Sequence, residues 1–318
     1  MSDAAFRRAL VIRGGALGDF LLTLPVISSL REAEPGAQLE VLAYPGIAAL
    51  AKAGGLVDAA RSIEYGPLAG FFTRDTVLDA ALREYFASFD LILSYLYDPD
   101  GFFAENLRVS GVQRLVTGPS RVTGQAHAID QLAAPLAALG IPLANRAVQL
   151  PSGGSKTGNS EVFLHPGSGS AAKNWPAENW RQLAREWLEQ DPSLHLVIVG
   201  GEADAAALAA LRDLTADRRV RLRENLPLPD LARELGGARL YLGHDTGISH
   251  LAALCGTPSL LLFGPTDPGI WAPPHGHVRV LRAPEGNLAA LGVDTVLRSA
   301  RRWHELASGP RAADTAPR

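Results

Sequence analysis

The sequence predicts an α/β protein built from two Rossmann-like domains around a cleft. Along most of the 318 residues, short apolar runs alternate with stretches whose apolar residues recur at helical spacing. Such alternation is typical of parallel sheets with crossover helices. Each half of the chain also starts with a strand pattern followed by a glycine-rich loop, and a Gly- and Ser-rich segment separates the halves. The two halves therefore have the pattern of one domain each.

The domain limits follow from this change in composition. We predict a first domain over 1–150, a linker over 151–160, a second domain over 161–307 and a disordered polar tail over 308–318. We expect the helix near Asp294–Leu306 to cross back to the first domain.

The first half has four strand patterns and four helix patterns. Strands are predicted over 9–12, 39–43, 62–65 and 90–94, and helices from 20 to just before Pro35 and over 47–53, 74–89 and 128–139. Pro25 removes a backbone donor inside the first helix, so we expect a kink or an irregular turn there.

The second half repeats the alternation. Strands are predicted over 162–165, 194–199, 240–242 and 259–263, and helices over 179–190, after the 200–204 turn, over 230–236 and after the 244–247 turn. The polar loop after the last of these strands lies at a carboxyl end, where open α/β sheets bind ligands.

The amino-acid composition of the chain argues against several classes of function. The chain is 47% hydrophobic with a net charge of −3, which gives no basis for nucleic-acid binding. The lone Cys255 is expected to be a small buried hydrophobe, and we see no zinc or iron ligand cluster in the pattern. The start of the chain resembles neither a signal peptide nor a spanning helix. A cytoplasmic enzyme is the expectation, with peripheral membrane contact left open.

The first glycine-rich loop, GGALGD over 14–19, ends in a carboxylate. Its glycine spacing differs from that of a dinucleotide fingerprint, which argues against a nicotinamide cofactor. Glycines allow a ligand to approach the backbone closely, and Asp19 stands at a helix N-terminus expected to face the cleft. Asp19 is thus either a functional carboxylate or a helix cap.

A second loop, PGSGSAAKNWP over 166–176, has the parts that bind a diphosphate. It lacks the order of a Walker A motif, but it combines accessible backbone amides, the hydroxyls of Ser168 and Ser170, and Lys173. Lysine occurs at only three positions in the chain, 52, 156 and 173. A flexible solvated loop is the alternative.

Two further turns follow strands of the second half. In HDTG, Asp245 and Thr246 are suited either to capping the next helix or to accompanying an anion at its N-terminus. In GGEAD, Asp204 is placed to accept hydrogen bonds from ribose hydroxyls. His250, one turn inside the helix, is not assigned to a metal.

Taken together, four segments resemble glycosyltransferase family 9, the ADP-heptose:lipopolysaccharide heptosyltransferases. They are RGGALGDFLLTLP, HPGSGSAAKNWP, VGGEAD and YLGHDTGISHLAALCGTPSLLLFGPTDP, in this order along nearly the whole chain. The resemblance implies a GT-B fold, with parallel sheets facing across a cleft, the acceptor on the first domain and the nucleotide-sugar donor on the second. It also implies an inverting reaction without a metal or other cofactor.

The resemblance also implies residue roles on the donor side. Lys173 would neutralise the diphosphate with help from Ser168 and Ser170, and Thr246 and Gly247 would give backbone contacts to the phosphates. Asp245 would bind hydroxyls of the donor sugar. Asp204 would contact the ribose, although many relatives have Glu there. Gly169 and His244 depart from the usual family pattern.

On the acceptor side, Asp19 would be the general base. Gly15, Gly18 and Arg121 are the predicted acceptor-binding residues, with Arg74 and Arg83 as further candidates. The predicted function is transfer of a heptose or related sugar from an ADP-sugar to a lipopolysaccharide-core or other glycolipid acceptor at the cytoplasmic face of the inner membrane. A nucleotide-sugar epimerase and a non-catalytic nucleotide-sugar binding protein remain as alternatives.

Overall fold

The protein has two compact units, Met1–Leu150 and Pro151–Arg318. The computed structural model describes residues 6–74, 76–150 and 161–308. The predicted linker and the predicted tail beyond Ser308 lie outside these residues, whereas Ser308 itself ends the last helix.

The first unit is a parallel five-stranded sheet with strand order β3-β2-β1-β4-β5. Its strands are β1 (Arg8–Ile12), β2 (Gln38–Ala43), β3 (Ala59–Ser62), β4 (Leu91–Ser94) and β5 (Leu115–Thr117). Its helices are α1 (Leu17–Leu21), α2 (Leu24–Ala33), α3 (Pro45–Ala53), α4 (Ala80–Ala87), α5 (Phe102–Val109) and α6 (Ala128–Ala138).

Aromatic side chains cover one face of this sheet. Phe71, Phe86 and Phe103 are almost fully buried and pack against Leu10 and Ile92 of the strands. The rings of Phe71 and Phe86 meet edge to face, with centroids 5.0 Å apart. Each fully buried ring contributes roughly 1.5–3 kcal/mol through the hydrophobic effect, so this cluster fixes α4 and α5 on the sheet.

The second unit is a parallel six-stranded sheet with strand order β11-β10-β9-β6-β7-β8. Its strands are β6 (Glu161–Leu164), β7 (His195–Gly200), β8 (Val220–Glu224), β9 (Leu240–His244), β10 (Ser259–Phe263) and β11 (Val278–Arg282). Its helices are α7 (Ala177–Gln190), α8 (Ala205–Leu211), α9 (Leu228–Gly237), α10 (Gly247–Leu254), α11 (Pro268–Trp271) and α12 (Val293–Ser308).

The last helix belongs to the core of the second unit. Val296 and Ala300 of α12 are fully buried in the same cluster as Trp187 of α7 and Leu260 of β10. The prediction that this helix returns to the first domain is therefore wrong for these residues. Their apolar stripe is buried against α7 and the sheet instead.

Both sheets have the strand order of a doubly wound fold. The chain adds strands on one side of the first strand, then returns to the other side, so that β1 pairs with both β2 and β4, and β6 with both β7 and β9. The loops that follow β1 and β4, or β6 and β9, diverge at the carboxyl edge and leave a crevice there. Three of the polar loops picked out in the sequence follow β1, β6 and β9, and two others follow β7 and β10.

Pro25 causes the predicted irregularity. Helix α1 ends at Leu21, and α2 starts at Leu24 with Pro25 in its first turn. A proline in a first turn leaves no intrahelical bond unmade, because that amide has no partner within the helix.

Several element limits differ from the prediction. Strand β3 lies three residues earlier than predicted, and α4 starts only at Ala80, because Asp79 caps it by accepting from the amide of Leu82 at 2.8 Å. Val77, an apolar residue inside the predicted helix 74–89, is 98% exposed. The helical spacing of apolar residues therefore predicted too early a start for this helix.

Candidate active site

The carboxylate of Asp19 lies on α1, directly after the first glycine-rich loop. Its Oδ2 accepts a hydrogen bond from the amide of Ala16 at 3.1 Å. Ala16 is the N-cap residue of α1, so Asp19 is not the N-cap itself but caps the helix start from its third position. The side chain remains 38% exposed. Gly15 has a φ of +96°, and a Cβ there would lie 2.8 Å from Asp19 Oδ2. Glycine is thus required for both the backbone turn and the position of the carboxylate.

A buried arginine, Arg13, supports this carboxylate and was not singled out in the sequence. Its side chain is only 2% exposed, and its Nη2 lies 3.4 Å from Asp19 Oδ1. Its Nη1 donates to the backbone oxygens of Tyr95 at 3.4 Å and Ser120 at 3.2 Å. Burial lowers the pKa of Arg13, and the charge of Asp19 opposes that shift. The sequence signal that could have identified Arg13 is its position, since it is a charged residue directly after the apolar strand β1.

The predicted acceptor residues lie in the first unit. Gly18 is part of α1, next to Asp19. The guanidinium of Arg121 is exposed and lies 5.6 Å from the ring centroid of Tyr97, in the loop after β4. Arg74 is exposed and lies over Phe102 at 5.4 Å. These positions do not test acceptor binding, so the acceptor-binding roles of these residues remain predictions.

One cavity of the first unit lies apart from the loop of Asp19. Its volume is about 410 Å³, and it is lined by Leu42, Arg61, Ser62, Tyr65, Leu68, Asp79, Ala81, Leu82, Tyr85 and Phe86. Most of this lining is apolar, and Arg61 is already paired with Glu40 at 3.1 Å.

In the second unit, the loop after β6 is ordered by its own hydroxyl groups. Ser168 is buried, donates from Oγ to the backbone oxygen of Ser170 at 2.7 Å and accepts from the amide of Ser170 at 3.2 Å. Ser170 is exposed. The loop is therefore a defined turn within the described residues, and Ser168 is occupied with closing it.

The structure brings Lys173 and Asp245 together, although they lie 72 residues apart. Lys173 Nζ donates to Asp245 Oδ2 at 2.8 Å, with the lysine side chain 32% exposed and the aspartate 7% exposed. The ammonium group thus stands at the surface and the carboxylate beneath it. The pair joins the loops that follow β6 and β9.

Thr246 and Gly247 form the start of α10. Thr246 has extended backbone angles and caps the helix, its Oγ1 accepting from the amide of Ser249 at 3.3 Å. Gly247 is the first residue of this eight-residue helix. Free amides and the helix dipole at such an end favour an anion.

Asp204 faces into the unit, beneath the same loops. Its Oδ2 accepts from the amide of Gly201 at 2.8 Å and pairs with His165 Nε2 at 3.2 Å. Burial would raise the pKa of Asp204, but the hydrogen bond and charge of His165 and the amide of Gly201 lower it overall. A Cβ at Gly167 would lie 2.0 Å from Asp204 Oδ1. The ribose role stays a prediction, and the structure adds a supporting role toward His165.

His165, which the sequence analysis passed over, links this carboxylate to α10. Its Nδ1 lies 3.4 Å from Thr246 Oγ1, and its ring is 2% exposed. It also lines a cavity of about 100 Å³ at the carboxyl edge of the sheet. The other lining residues are Val199, Gly200, Gly201, Arg223, Asn225, Leu226, Leu228, Leu231 and Ile248. Several of them follow β8, a strand that the pattern did not predict.

In residues 6–74, 76–150 and 161–308, three or more His, Cys, Asp or Glu side chains are nowhere grouped to hold a metal ion. Among the same residues, the helices are all too short or too polar to cross a membrane.

Two parallel sheets with doubly wound strand order, each bearing polar loops at its carboxyl edge, define an α/β protein of the GT-B class. Solved structures have this fold. The glycosyl transferase family 9 protein from Veillonella parvula has a TM-score of 0.77 at 17% identity, covering 96% of this chain and 99% of that one. Escherichia coli heptosyltransferase WaaC with ADP has a TM-score of 0.71 at 20% identity, covering 93% and 99%. The predicted fold class is confirmed.

Residues 126–299 match the model of glycosyltransferase family 9 (heptosyltransferase), and the chain belongs to this family. It is also similar to lipopolysaccharide heptosyltransferase 1 of Escherichia coli, with 34% identity over 140 residues. That match covers 44% of this chain and 43% of the relative, so the chain spans less than half of the relative's length. The family resemblance found in the sequence is confirmed.

Proposed function

We propose that the protein is an inverting glycosyltransferase that moves a heptose or a related sugar from an ADP-sugar to a lipopolysaccharide-core or other glycolipid acceptor. The observation that carries the proposal is the grouping at the carboxyl edge between β6 and β9. Lys173 and Asp245 pair there beside the N-terminus of α10. A cation next to free helix amides suits a diphosphate.

Family membership supports a heptose as the transferred sugar, and one solved structure supports ADP as the nucleotide of the donor. The family is described as heptosyltransferase, and the WaaC structure contains ADP. In the present chain, the cavity beside His165 and Ile248 has mostly apolar walls suited to a nucleobase, with Asn225 as a polar lining residue. We assign the base to this cavity and the diphosphate to Lys173 and the start of α10.

The proposed chemistry needs a base and a stabilised leaving group. Asp19 takes the proton of the acceptor hydroxyl as that oxygen attacks the anomeric carbon, and the carbon–oxygen bond to the diphosphate breaks. The negative charge left on the diphosphate is met by Lys173 and by the amides of Thr246 and Gly247. Arg13 holds one carboxylate oxygen of Asp19 and keeps its position. Asp245 holds Lys173 until the donor arrives.

The same proposal places the protein at the cytoplasmic face of the inner membrane, where the acceptor would be presented. Arg74, Arg83 and Arg121 are exposed and suited to an anionic acceptor. We also propose that the reaction needs no metal, so a chelator should leave turnover unchanged.

A transfer assay tests the function. Wild-type protein, ADP-heptose and lipopolysaccharide-core acceptors are incubated, and the product is identified by mass spectrometry and its anomeric configuration by NMR. We expect transfer with inversion. Epimerised donor without acceptor would indicate an epimerase instead, and donor binding without any transfer would indicate a binding protein.

Asp19→Asn tests the base. Because the amide cannot accept the proton, we expect turnover to fall by about 10²–10⁴-fold. ADP affinity, measured by calorimetry, should stay unchanged. Glu84→Gln, at an exposed acid on α4, is the matched control. Full activity of Asp19→Asn would refute the assignment.

A further inference from the structure

The side chain of His244 contacts both ends of the loop that carries Lys173. His244 is the last residue of β9 and is completely buried. The amide of Trp175 donates to its Nε2 at 2.8 Å, and its Nδ1 lies 3.3 Å from the backbone oxygen of Gly167. Because Nε2 accepts, the ring proton stands on Nδ1 and is donated to Gly167. The imidazole is thus neutral and joins two points of the loop.

The far end of the loop is fixed further by aromatic packing. The ring of Trp180 on α7 meets the ring of His244 at 88°, with centroids 5.4 Å apart, and meets Trp175 at 5.2 Å. Trp175 Nε1 donates to the backbone oxygen of Leu291 at 2.8 Å. The His244 clamp, formed by its hydrogen bonds to Gly167 and Trp175, is therefore anchored in the hydrophobic core of the second unit.

The next residue along the chain holds the middle of the same loop. Asp245 accepts from Lys173 Nζ, while His244 binds the backbone at Gly167 and Trp175. Consecutive residues at a strand end point to opposite sides, so the two buried side chains reach the loop at different points. The end of β9 thus fixes both the course of the loop and its cation.

We propose that His244 is a positioning residue, whose neutral imidazole holds Gly167 and Trp175 in place and thereby presents Lys173 to the diphosphate of the donor. This inference rests on the proposed function. Without the clamp, the loop loses two of its fixed points, and the buried amide and carbonyl lose their partners. Binding of a diphosphate must then also order the loop, which weakens affinity.

The test compares ADP with adenosine in calorimetric titrations of the full-length protein. His244→Leu removes both hydrogen bonds, and we expect ADP to bind about tenfold more weakly or worse, from the loss of two hydrogen bonds of ordinary strength. Adenosine, which lacks the diphosphate, should keep its affinity. His244→Gln, which retains a donor and an acceptor on a polar side chain, should recover part of the loss.

Lys173→Gln provides the matched control. It should show the same selective loss for ADP, and the double variant His244→Leu/Lys173→Gln should lose little more than either one, because both act through one contact. Additive losses would contradict the proposal. So would an unchanged ADP affinity in His244→Leu, or an equal loss for ADP and adenosine.

Two outcomes separate this inference from the proposed function. If the wild-type protein binds adenosine and ADP equally, the diphosphate assignment fails, and the clamp's role fails with it. If the wild type prefers ADP and both His244 variants keep that preference, only the clamp is refuted. Should His244→Leu not fold, His244→Gln decides alone: the clamp predicts a partial, ADP-selective loss, and wild-type affinity refutes it.

Discussion

At the scale of single residues, the pair of Arg13 and Asp19 shows how a buried charged side chain can hold a more exposed one in position. The Arg13 guanidinium is buried and bonded to backbone oxygens of the loops after β4 and β5. A buried arginine is costly unless it is paired and hydrogen-bonded. Asp19 adds an ion pair to Nη2 at 3.4 Å, while Nε and Nη2 make no hydrogen bond. The carboxylate is thus held by charge as well as by the amide of Ala16.

Arg13→Lys should separate positioning from charge. Lysine keeps the charge but loses the planar fork that reaches Tyr95, Ser120 and Asp19 together. We expect kcat to fall by about 10–100-fold through misplacement of the base, with ADP affinity unchanged. Steady-state kinetics and calorimetry measure the two effects. Arg108→Lys, at an exposed arginine of α5, is the control, and wild-type kcat in Arg13→Lys would contradict the role.

The protonation of His244 gives a pH dependence of stability. Burial lowers its pKa to about 3 from 6.5, with Gly167, His165, Asp204 and Asp245 as the other groups acting on it. The unfolded chain therefore binds more protons between these values, and the free energy of unfolding falls as pH drops from about 6.5 toward 3. Urea unfolding at pH 7 and pH 5 should show this loss, and His244→Gln should show less of it. An identical loss in both proteins would contradict the assignment.

At the scale of elements, the start of α10 combines a cap with the proposed phosphate site. Thr246 Oγ1 accepts from the amide of Ser249, which leaves the amides nearer the helix start free for an anion. The cap and the anion site therefore use different groups of the same helix end.

Thr246→Ala should cost about 1 kcal/mol of unfolding free energy through loss of the cap. It also removes the hydroxyl contact with His165 Nδ1. Thr246→Ser keeps the hydroxyl and should stay close to wild type. Chemical unfolding of the three proteins measures the difference, and equal stability of Thr246→Ala and wild type would show that the cap contributes nothing.

Element limits show where sequence patterns are weak. The buried central strands β1, β4, β9 and β10 were predicted within a residue or two, because they are continuous apolar runs. The edge strands β8 and β11 alternate arginines with apolar residues, and the edge strand β5 has only three residues. An edge strand is half exposed, so its pattern resembles a loop more than a core strand. The residues that follow β8 were therefore missed as cavity walls.

At the scale of the whole molecule, the two units have separate hydrophobic cores. The cluster around Phe86 lies within the first unit and the cluster around Trp187 within the second. The proposed base lies on the first unit and the proposed donor site on the second. Neither unit alone should then catalyse transfer.

Separate cores predict separate responses to ligand. We expect calorimetric unfolding to show two transitions, and ADP to raise the midpoint of one of them, because a ligand stabilises only the unit that binds it. Lys173→Gln should reduce that shift, whereas Glu84→Gln should not. An equal ADP-induced rise of both transitions would contradict the assignment of ADP to the second unit.

The sequence by itself determined the fold class, the family and the loops that carry the chemistry, because apolar periodicity and glycine-rich turns are local properties of the chain. Only the tertiary structure decided which partners those loops meet. It placed Arg13 beneath Asp19, Asp245 beneath Lys173, and Asp204 against His165. It also made His244 a clamp. The last three contacts join residues far apart in the chain, and even the nearer pair of Arg13 and Asp19 depends on loops after β4 and β5. The order of the strands in each sheet brings these residues together, and the spacing of residues along the sequence does not predict that order.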